Sequence, residues 1–282
     1  MIYSFSLLSG IAFDSIGDDL RMMLAKRPAM ADSITGLRQV FACMDFTSLD
    51  GADNNETIRT LCEKAIAFGE KGLPYPATVC IYPPFIATAK NALKGTPIRI
   101  AVTAAAFPSG QMPLPVKLEE IRYAVGEGAD EIDVVISRGT FLSKEYHRVY
   151  RELDAMRDLT RTNILKVILE TGELGTPENI AKASEIAIEA GADFIKTSTG
   201  KITPAATEEA VSVMLQVILN HYRKTGRKIG IKPAGGISEP EKALNYYWLV
   251  NEILGESWLK PELFRIGASR LADRIIDYLQ PL

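Results

Sequence analysis

Three ionisable side chains interrupt three apolar, β-prone runs. Lys196 lies in Asp193-Phe194-Ile195-Lys196-Thr197-Ser198-Thr199-Gly200-Lys201, and Lys232 in Lys228-Ile229-Gly230-Ile231-Lys232-Pro233-Ala234-Gly235-Gly236. Asp133 lies in Glu131-Ile132-Asp133-Val134-Val135-Ile136. A buried ammonium is costly to desolvate, so each lysine must be paired, shifted in pKa, or both. Desolvation favours the neutral amine, which is a nucleophile toward carbonyl carbon. Taken singly, Lys196 reads equally well as a salt-bridged lysine. Its company shifts the balance toward carbonyl chemistry.

The elements that must position these groups alternate regularly. Strand-like runs fall at 40–44, 78–82, 98–103, 131–136, 165–170, 194–197, 229–232 and 264–267. Helical patterns fall between them, at 56–69, 85–93, 116–127, 144–160, 177–189, 207–222, 239–254 and 269–279. Thr176-Pro177-Glu178 reads as an N-cap with proline at the first helical position. Gly69, Gly128 and Gly191 read as C-terminal caps. Eight units of roughly 30 residues suit consecutive βα steps. The run after the first strand, Met44-Asp45-Phe46-Thr47, has no glycine fingerprint of a dinucleotide fold. The spacing therefore predicts a TIM (β/α)₈ barrel over 36–282, preceded by an extra N-terminal helical segment over 1–35 with a helix near 16–26.

In a barrel, chemistry sits at the C-terminal ends of the strands. Those ends carry Asp45 and Thr47, Cys80, Thr103, Asp133 with Ser137 and Arg138, Glu170, Lys196 with Ser198, Lys232, and Ser269 with Arg270. Alternation puts Lys166, Ile168 and Glu170 on one face. Lys166 and Glu170 read as an interior ion pair, and Arg138 as a rim cation. Cys80 alone reads as a small core residue, and Asp45 as a loop cap or a site residue. Pro233-Ala234-Gly235-Gly236-Ile237-Ser238 and Gly267-Ala268-Ser269 each lead into a helix start, as a phosphate cradle after strands seven and eight would. Gly200-Lys201 adds a donor and a cation.

Composition narrows the class. The chain has 282 residues, 47% hydrophobic and 24% charged, enough for a large soluble α/β domain. A net charge of −3 gives no global basic field, so neither nucleic acid nor an anionic membrane is an expected partner. Cys43, Cys62 and Cys80 read as reduced thiols, and His147 and His221 lie too far apart for a histidine metal site. No signal peptide and no apolar run of ~18 residues is visible, so a cytoplasmic protein is expected.

The long motifs around Asp133, Leu165–Leu174, Asp193–Lys201, Lys232–Gly236 and Arg265–Ser269 resemble the 2-deoxyribose-5-phosphate aldolase family, from about Cys43 to the end of the chain. The resemblance implies a class I aldolase on a TIM barrel, with no cofactor and no metal. It implies reversible cleavage of 2-deoxy-D-ribose 5-phosphate to D-glyceraldehyde 3-phosphate and acetaldehyde in deoxyribonucleotide catabolism. It assigns Lys196 as the Schiff-base lysine, Lys232 as the second lysine and Asp133 as the acid/base group. It assigns Asp45, Thr47, Cys80, Lys166, Thr199, Gly200, Lys201, Gly235, Gly236, Gly267 and Ser269 to substrate binding. Small phosphorylated sugars and aldehydes are the implied partners, and a homodimer the implied assembly. Two departures from the family pattern stand out. Arg270 occupies a position where the family usually carries a small hydroxyl residue, and Ala104-Ala105-Ala106 is blander than usual. A class I aldolase for another phosphorylated sugar and a non-catalytic sugar-phosphate-binding barrel are the alternatives.

Overall fold

A computed structural model describes residues 7–8, 10–30 and 33–279. Eight parallel strands run in the order β7-β6-β5-β4-β3-β2-β1-β8. They are β1 (Met44–Thr47), β2 (Thr78–Ile81), β3 (Arg99–Ala104), β4 (Glu131–Val135), β5 (Ile164–Ile168), β6 (Phe194–Lys196), β7 (Gly230–Lys232) and β8 (Ile266–Ala268). The barrel closes between β7 and β8. Ile231 donates its N–H to Leu263, Arg265 to Ile231 and Gly267 to Pro233, with Ile231 bridging Phe264 and Ala234 bridging Gly267.

Two helices, α1 (Ile16–Ala25) and α2 (Ile34–Ala42), precede the first strand. After β1, β2 and β3 come α3 (Asn55–Glu70), α4 (Ile86–Ala92) and α5 (Leu114–Glu127). After β4 come α6 (Arg138–Leu142) and α7 (Tyr146–Leu159), and after β5 come α8 (Thr171–Leu174) and α9 (Pro177–Glu189). The remaining strands lead to α10 (Glu208–Thr225), α11 (Pro240–Leu254) and α12 (Leu271–Leu279). Local chemistry sets the starts. Asn54 caps α3 in a reciprocal capping box with Thr57, and Thr176 and Thr207 cap α9 and α10 by accepting from Asn179 and Ala210.

Two sequence expectations are corrected. The run at 40–44 is not the first strand, because residues up to Ala42 belong to α2 and β1 begins at Met44. Leu37, Val40 and Phe41 are all buried, at helical spacing. A short apolar run does not by itself distinguish a buried strand from a buried helix. The α2 face packs on α11 and α12, and Phe41 meets Phe68 edge-on at 5.0 Å. Likewise, Gly69 does not end α3, which continues to Glu70. A Cβ at Gly69 would lie 2.3 Å from the Tyr75 ring, so glycine is there for close packing.

The sheet's outward-facing residues, such as Val79, Val102, Ile132, Val134, Val167, Ile195 and Ile231, are fully buried under the helices. The inward-facing positions are strongly polar. Gly230 makes room inside the barrel for Phe194, whose ring atoms would lie 2.3 Å from a Cβ at that glycine. No described helix is long and apolar enough to cross a membrane.

Candidate active site

Register brings the strand-borne charges together. Asp133 pairs in register with Lys166 on β5, and Lys196 with Lys232 on β7. Because parallel neighbours in register point the same way, all four side chains enter the barrel. Lys196 Nζ donates to Asp133 Oδ2 at 2.8 Å, and Lys232 Nζ donates to the same oxygen at 2.7 Å. Lys166 Nζ takes the other oxygen, Oδ1, at 2.9 Å. Three amines therefore converge on one carboxylate, which is fully buried.

Asp45 enters from β1 and pairs with Lys232, while Lys166 lies 3.5 Å from its Oδ2. Below this layer, Arg265 Nη1 donates to Asp45 Oδ1 at 2.6 Å, and its Nη2 donates to Glu131 Oε1 at 2.8 Å. Glu131 Oε2 also receives Lys166 at 2.5 Å. The Arg265 guanidinium lies over the Phe194 ring, with its carbon 5.6 Å from the centroid. At Gly267 an added Cβ would meet the Lys232 stem at 3.2 Å, so this glycine leaves the second lysine its path.

The electrostatics separate the two lysines. Burial pushes Lys196 below the ordinary ammonium range, Asp133 opposes this, and the Lys232 charge adds to the depression. Burial also acts on Lys232, but Asp133 and Asp45 outweigh it and hold its proton more tightly than usual. Desolvation would raise Asp133, yet Lys166, Lys196 and Lys232 hold it well below the carboxylate range. Burial pushes the Cys80 thiol up, so it stays protonated. The arrangement contains one amine poised to be neutral, beside a cation and an anion that both keep their charges. Such a set can attack a carbonyl, stabilise the resulting iminium and move protons.

Above the charged layers opens a cleft of about 670 Å³. Of the residues expected to bind substrate, Thr47, Thr199, Gly200, Lys201, Gly235, Gly236, Gly267 and Ser269 line it, and Lys196 is at its inner end. Asp45, Cys80 and Lys166 do not line it, nor do Asp133 and Lys232; all five are fully buried. Asp45 lies one inward-facing step deeper than Thr47 on the same strand, where it pairs with Lys232. Gly200, Gly235 and Gly236 have φ of +78°, +86° and +69°. A Cβ at Gly235 would meet Ala205 Cβ at 2.7 Å and Gly200 Cα at 2.8 Å, so this close approach of the two loops requires glycine. Arg270 lines the cleft from the loop after β8, is exposed, and has no ion-pair partner among the described residues. Lys201 Nζ donates to the Leu49 carbonyl at 2.5 Å and lies 3.7 Å from Asp50.

Glu170 and Lys166 are not an ion pair. Glu170 leaves the strand direction with φ of 58° and accepts from Arg138 Nη1 at 2.9 Å. It also accepts from the Thr199 N–H at 3.1 Å and the Thr199 hydroxyl at 2.5 Å. Arg138 stands at the rim after β4, as expected, but is not a free cation there. It is largely buried, and binds Glu173 at 3.0 Å and the Ser109 carbonyl at 3.0 Å as well. The Arg138–Glu170–Thr199 chain holds the loop that carries Gly200 and Lys201. Sequence reasoning missed the roles of Arg265, Glu131 and this chain. The signal available was charge type: an arginine directly before the β8 Ile-Gly-Ala run and an acid opening β4 are both unexpected at inward positions.

The chain is similar to known proteins over most of its length. Residues 39–245 match the model of the DeoC/LacD family aldolase. The human protein named deoxyribose-phosphate aldolase is 48% identical over 82% of this chain and 77% of its own length. The one from Agrobacterium fabrum is 41% identical over 91% of this chain and 95% of its own. A crystal structure from Coccidioides immitis superposes with a TM-score of 0.75 at 25% identity, covering 96% of this chain and 100% of that one. The deoxyribose phosphate aldolase from Aeropyrum pernix, described as tetrameric, superposes with a TM-score of 0.69 at 23% identity, covering 89% of this chain and 98% of that one.

Proposed function

The chain belongs to the DeoC/LacD family of aldolases, and from that premise we propose how its own residues carry the reaction. It is a class I aldolase, a carbon–carbon lyase that cleaves 2-deoxy-D-ribose 5-phosphate reversibly to D-glyceraldehyde 3-phosphate and acetaldehyde. Neutral Lys196 attacks C1 of the open-chain sugar, forming an N–C bond. The carbinolamine loses water to give the protonated imine. That cation withdraws the electron pair of the C2–C3 bond as it breaks, while the C3 hydroxyl gives up its proton. Asp133, with Lys232 and a water, takes that proton and later returns one to the enamine carbon. Hydrolysis of the imine releases acetaldehyde and restores the amine. The imine supplies the main advantage, because a neutral enamine replaces an unstabilised carbanion.

The observation that carries these roles is the shared oxygen. Lys196 and Lys232 both donate to Asp133 Oδ2, at 2.8 and 2.7 Å, and only Lys196 faces the cleft. The phosphate is assigned to the glycine-lined end formed by Gly200, Gly235, Gly236, Gly267 and Ser269, with Lys201 and Arg270 as cations and Thr47 and Thr199 as flanking hydroxyls. Asp45, Lys166 and Cys80 are assigned supporting roles, because all three are fully buried and none lines the cleft. Residues 1–35 are read as an extension outside the catalytic unit at 36–282, a cytoplasmic setting is kept, and a homodimer is the proposed assembly. The test of the central role is borohydride reduction in the presence of acetaldehyde. A two-carbon adduct on the peptide bearing Lys196 is expected; adducts elsewhere with Lys196 unmodified would overturn the assignment.

A further inference from the structure

Seven charged side chains from five strands and the β7–β8 seam meet inside the barrel; six are sealed from solvent, and Lys196 opens on the cleft. The carboxylates are Asp45, Glu131 and Asp133, and the cations are Lys166, Lys196, Lys232 and Arg265. Three cations bind two carboxylates or more. Lys166 reaches Glu131 at 2.5 Å, Asp133 at 2.9 Å and Asp45 at 3.5 Å. Lys232 bridges Asp45 and Asp133. Arg265 bridges Asp45 at 2.6 Å and Glu131 at 2.8 Å. Lys196 alone has a single carboxylate contact, to an oxygen Lys232 already occupies. Among other groups facing the cluster, Cys80 is an uncharged thiol held neutral by burial. Arg99 approaches Glu131 at 3.4 Å with its side chain 40% exposed, where water screens it.

We propose that Arg265 and Glu131, which do not touch the cleft, help to set the charge state of Lys196 by balancing the sealed cluster. Lys166, Lys232 and Arg265 match the three carboxylates one for one, so a proton on Lys196 is the surplus charge. A low-dielectric interior rejects an unmatched charge far more strongly than water does. The proton leaves the one amine that is both singly bound and open to the cleft. The neutral amine still donates an N–H to Asp133, and its lone pair is free for attack. This inference rests on Lys196 being the imine-forming amine, and extends its control to the barrel floor. Arg265 and Glu131 are positioning and tuning residues in this account, with no contact to the reacting atoms.

The test follows the pH dependence of Lys196 trapping by acetaldehyde and cyanoborohydride, read by mass on the Lys196 peptide in wild type, Glu131→Gln, Arg265→Gln and Arg265→Lys. Glu131→Gln removes a negative charge and is expected to move the midpoint down by about one pH unit. Arg265→Gln removes a positive charge and is expected to move it up by a similar amount, with Arg265→Lys returning toward wild type. Simple structural damage would lower adduct yield without shifting the midpoint in opposite directions. Should Arg265→Gln not fold, Glu131→Gln decides alone: an unmoved or raised midpoint overturns the proposal. Adduct formation in wild type with midpoints unchanged in the variants would sink this inference and leave the aldolase roles standing. Absence of any wild-type adduct on Lys196 would remove the roles and this inference together.

Discussion

The barrel interior and the cleft rim are both built from charged and small residues, yet they obey different rules. In the interior, Asp45, Glu131, Asp133, Lys166, Lys232 and Arg265 are fully buried, and every one is multiply bound within the cluster. At the rim, Ser269 and Arg270 are exposed, Lys201 leans on a backbone carbonyl, and glycines supply the wall. Water screens the rim charges, so one can be exchanged for another at modest cost. No water screens the interior, so removing one partner leaves an uncompensated charge. Arg270, one of the two departures from the expected family pattern, falls at the rim, where its charge is exposed to water.

The largest expected effect tests the interior directly. Lys196→Met should lower turnover by roughly 10⁴-fold or more, because the covalent route is lost. Steady-state kinetics with deoxyribose 5-phosphate measures it, and a loss under tenfold would remove the distinction between interior and rim. Asp133→Asn comes next, with an expected loss of roughly 10²- to 10⁴-fold in kcat, the range for a general acid/base. Its pH profile should also change, since both amines lose their shared anion. In wild type, activity should fall as pH drops through the lowered Lys196 pKa, because protonation removes the nucleophile.

Glu170 joins the two regions, being buried itself while holding the rim loop through Thr199. Glu170→Gln weakens charge-assisted hydrogen bonds worth about 1.5–3 kcal/mol. It should raise KM for the phosphorylated sugar roughly tenfold or more, with a smaller change in kcat. A kcat loss as large as that of Asp133→Asn would place Glu170 with the interior set. Arg270→Ser should be milder, raising KM for deoxyribose 5-phosphate by about three- to tenfold at low salt. The effect should shrink at high salt and vanish with unphosphorylated 2-deoxyribose. Equal effects on both sugars would dissociate Arg270 from the phosphate.

His221 supplies a third environment, buried on α10 with neither ring nitrogen hydrogen-bonded among the described residues. Burial, then Arg227 and Lys224, push its pKa down. The unfolded chain therefore takes the proton first, and stability held above the unfolded value of about 6.5 is lost as pH falls through the lower folded one. His221→Phe should leave activity unchanged and flatten the stability profile below pH about 6.5. A profile identical to wild type in thermal melts would show that His221 does not titrate on unfolding.

Much of this was legible in the chain itself. Alternating apolar runs and helix caps foretold eight βα units, and the intrusions of Lys196, Lys232 and Asp133 into strand-like runs marked the site. Those signals are local, because backbone preference and strand alternation act over a few residues. The first strand was misplaced because α2 ends in the same apolar run that β1 begins, and periodicity cannot divide a run so short. Only the tertiary structure decided which charge meets which. Lys166 goes to Asp133, Glu131 and Asp45 rather than to Glu170, and Glu170 goes to Arg138 and Thr199. These partners lie on different strands, so register and closure of the barrel choose them. The depression of Lys196 belongs to that level as well: it comes from exclusion of water and from neighbours distant in sequence, neither of which a stretch of residues contains.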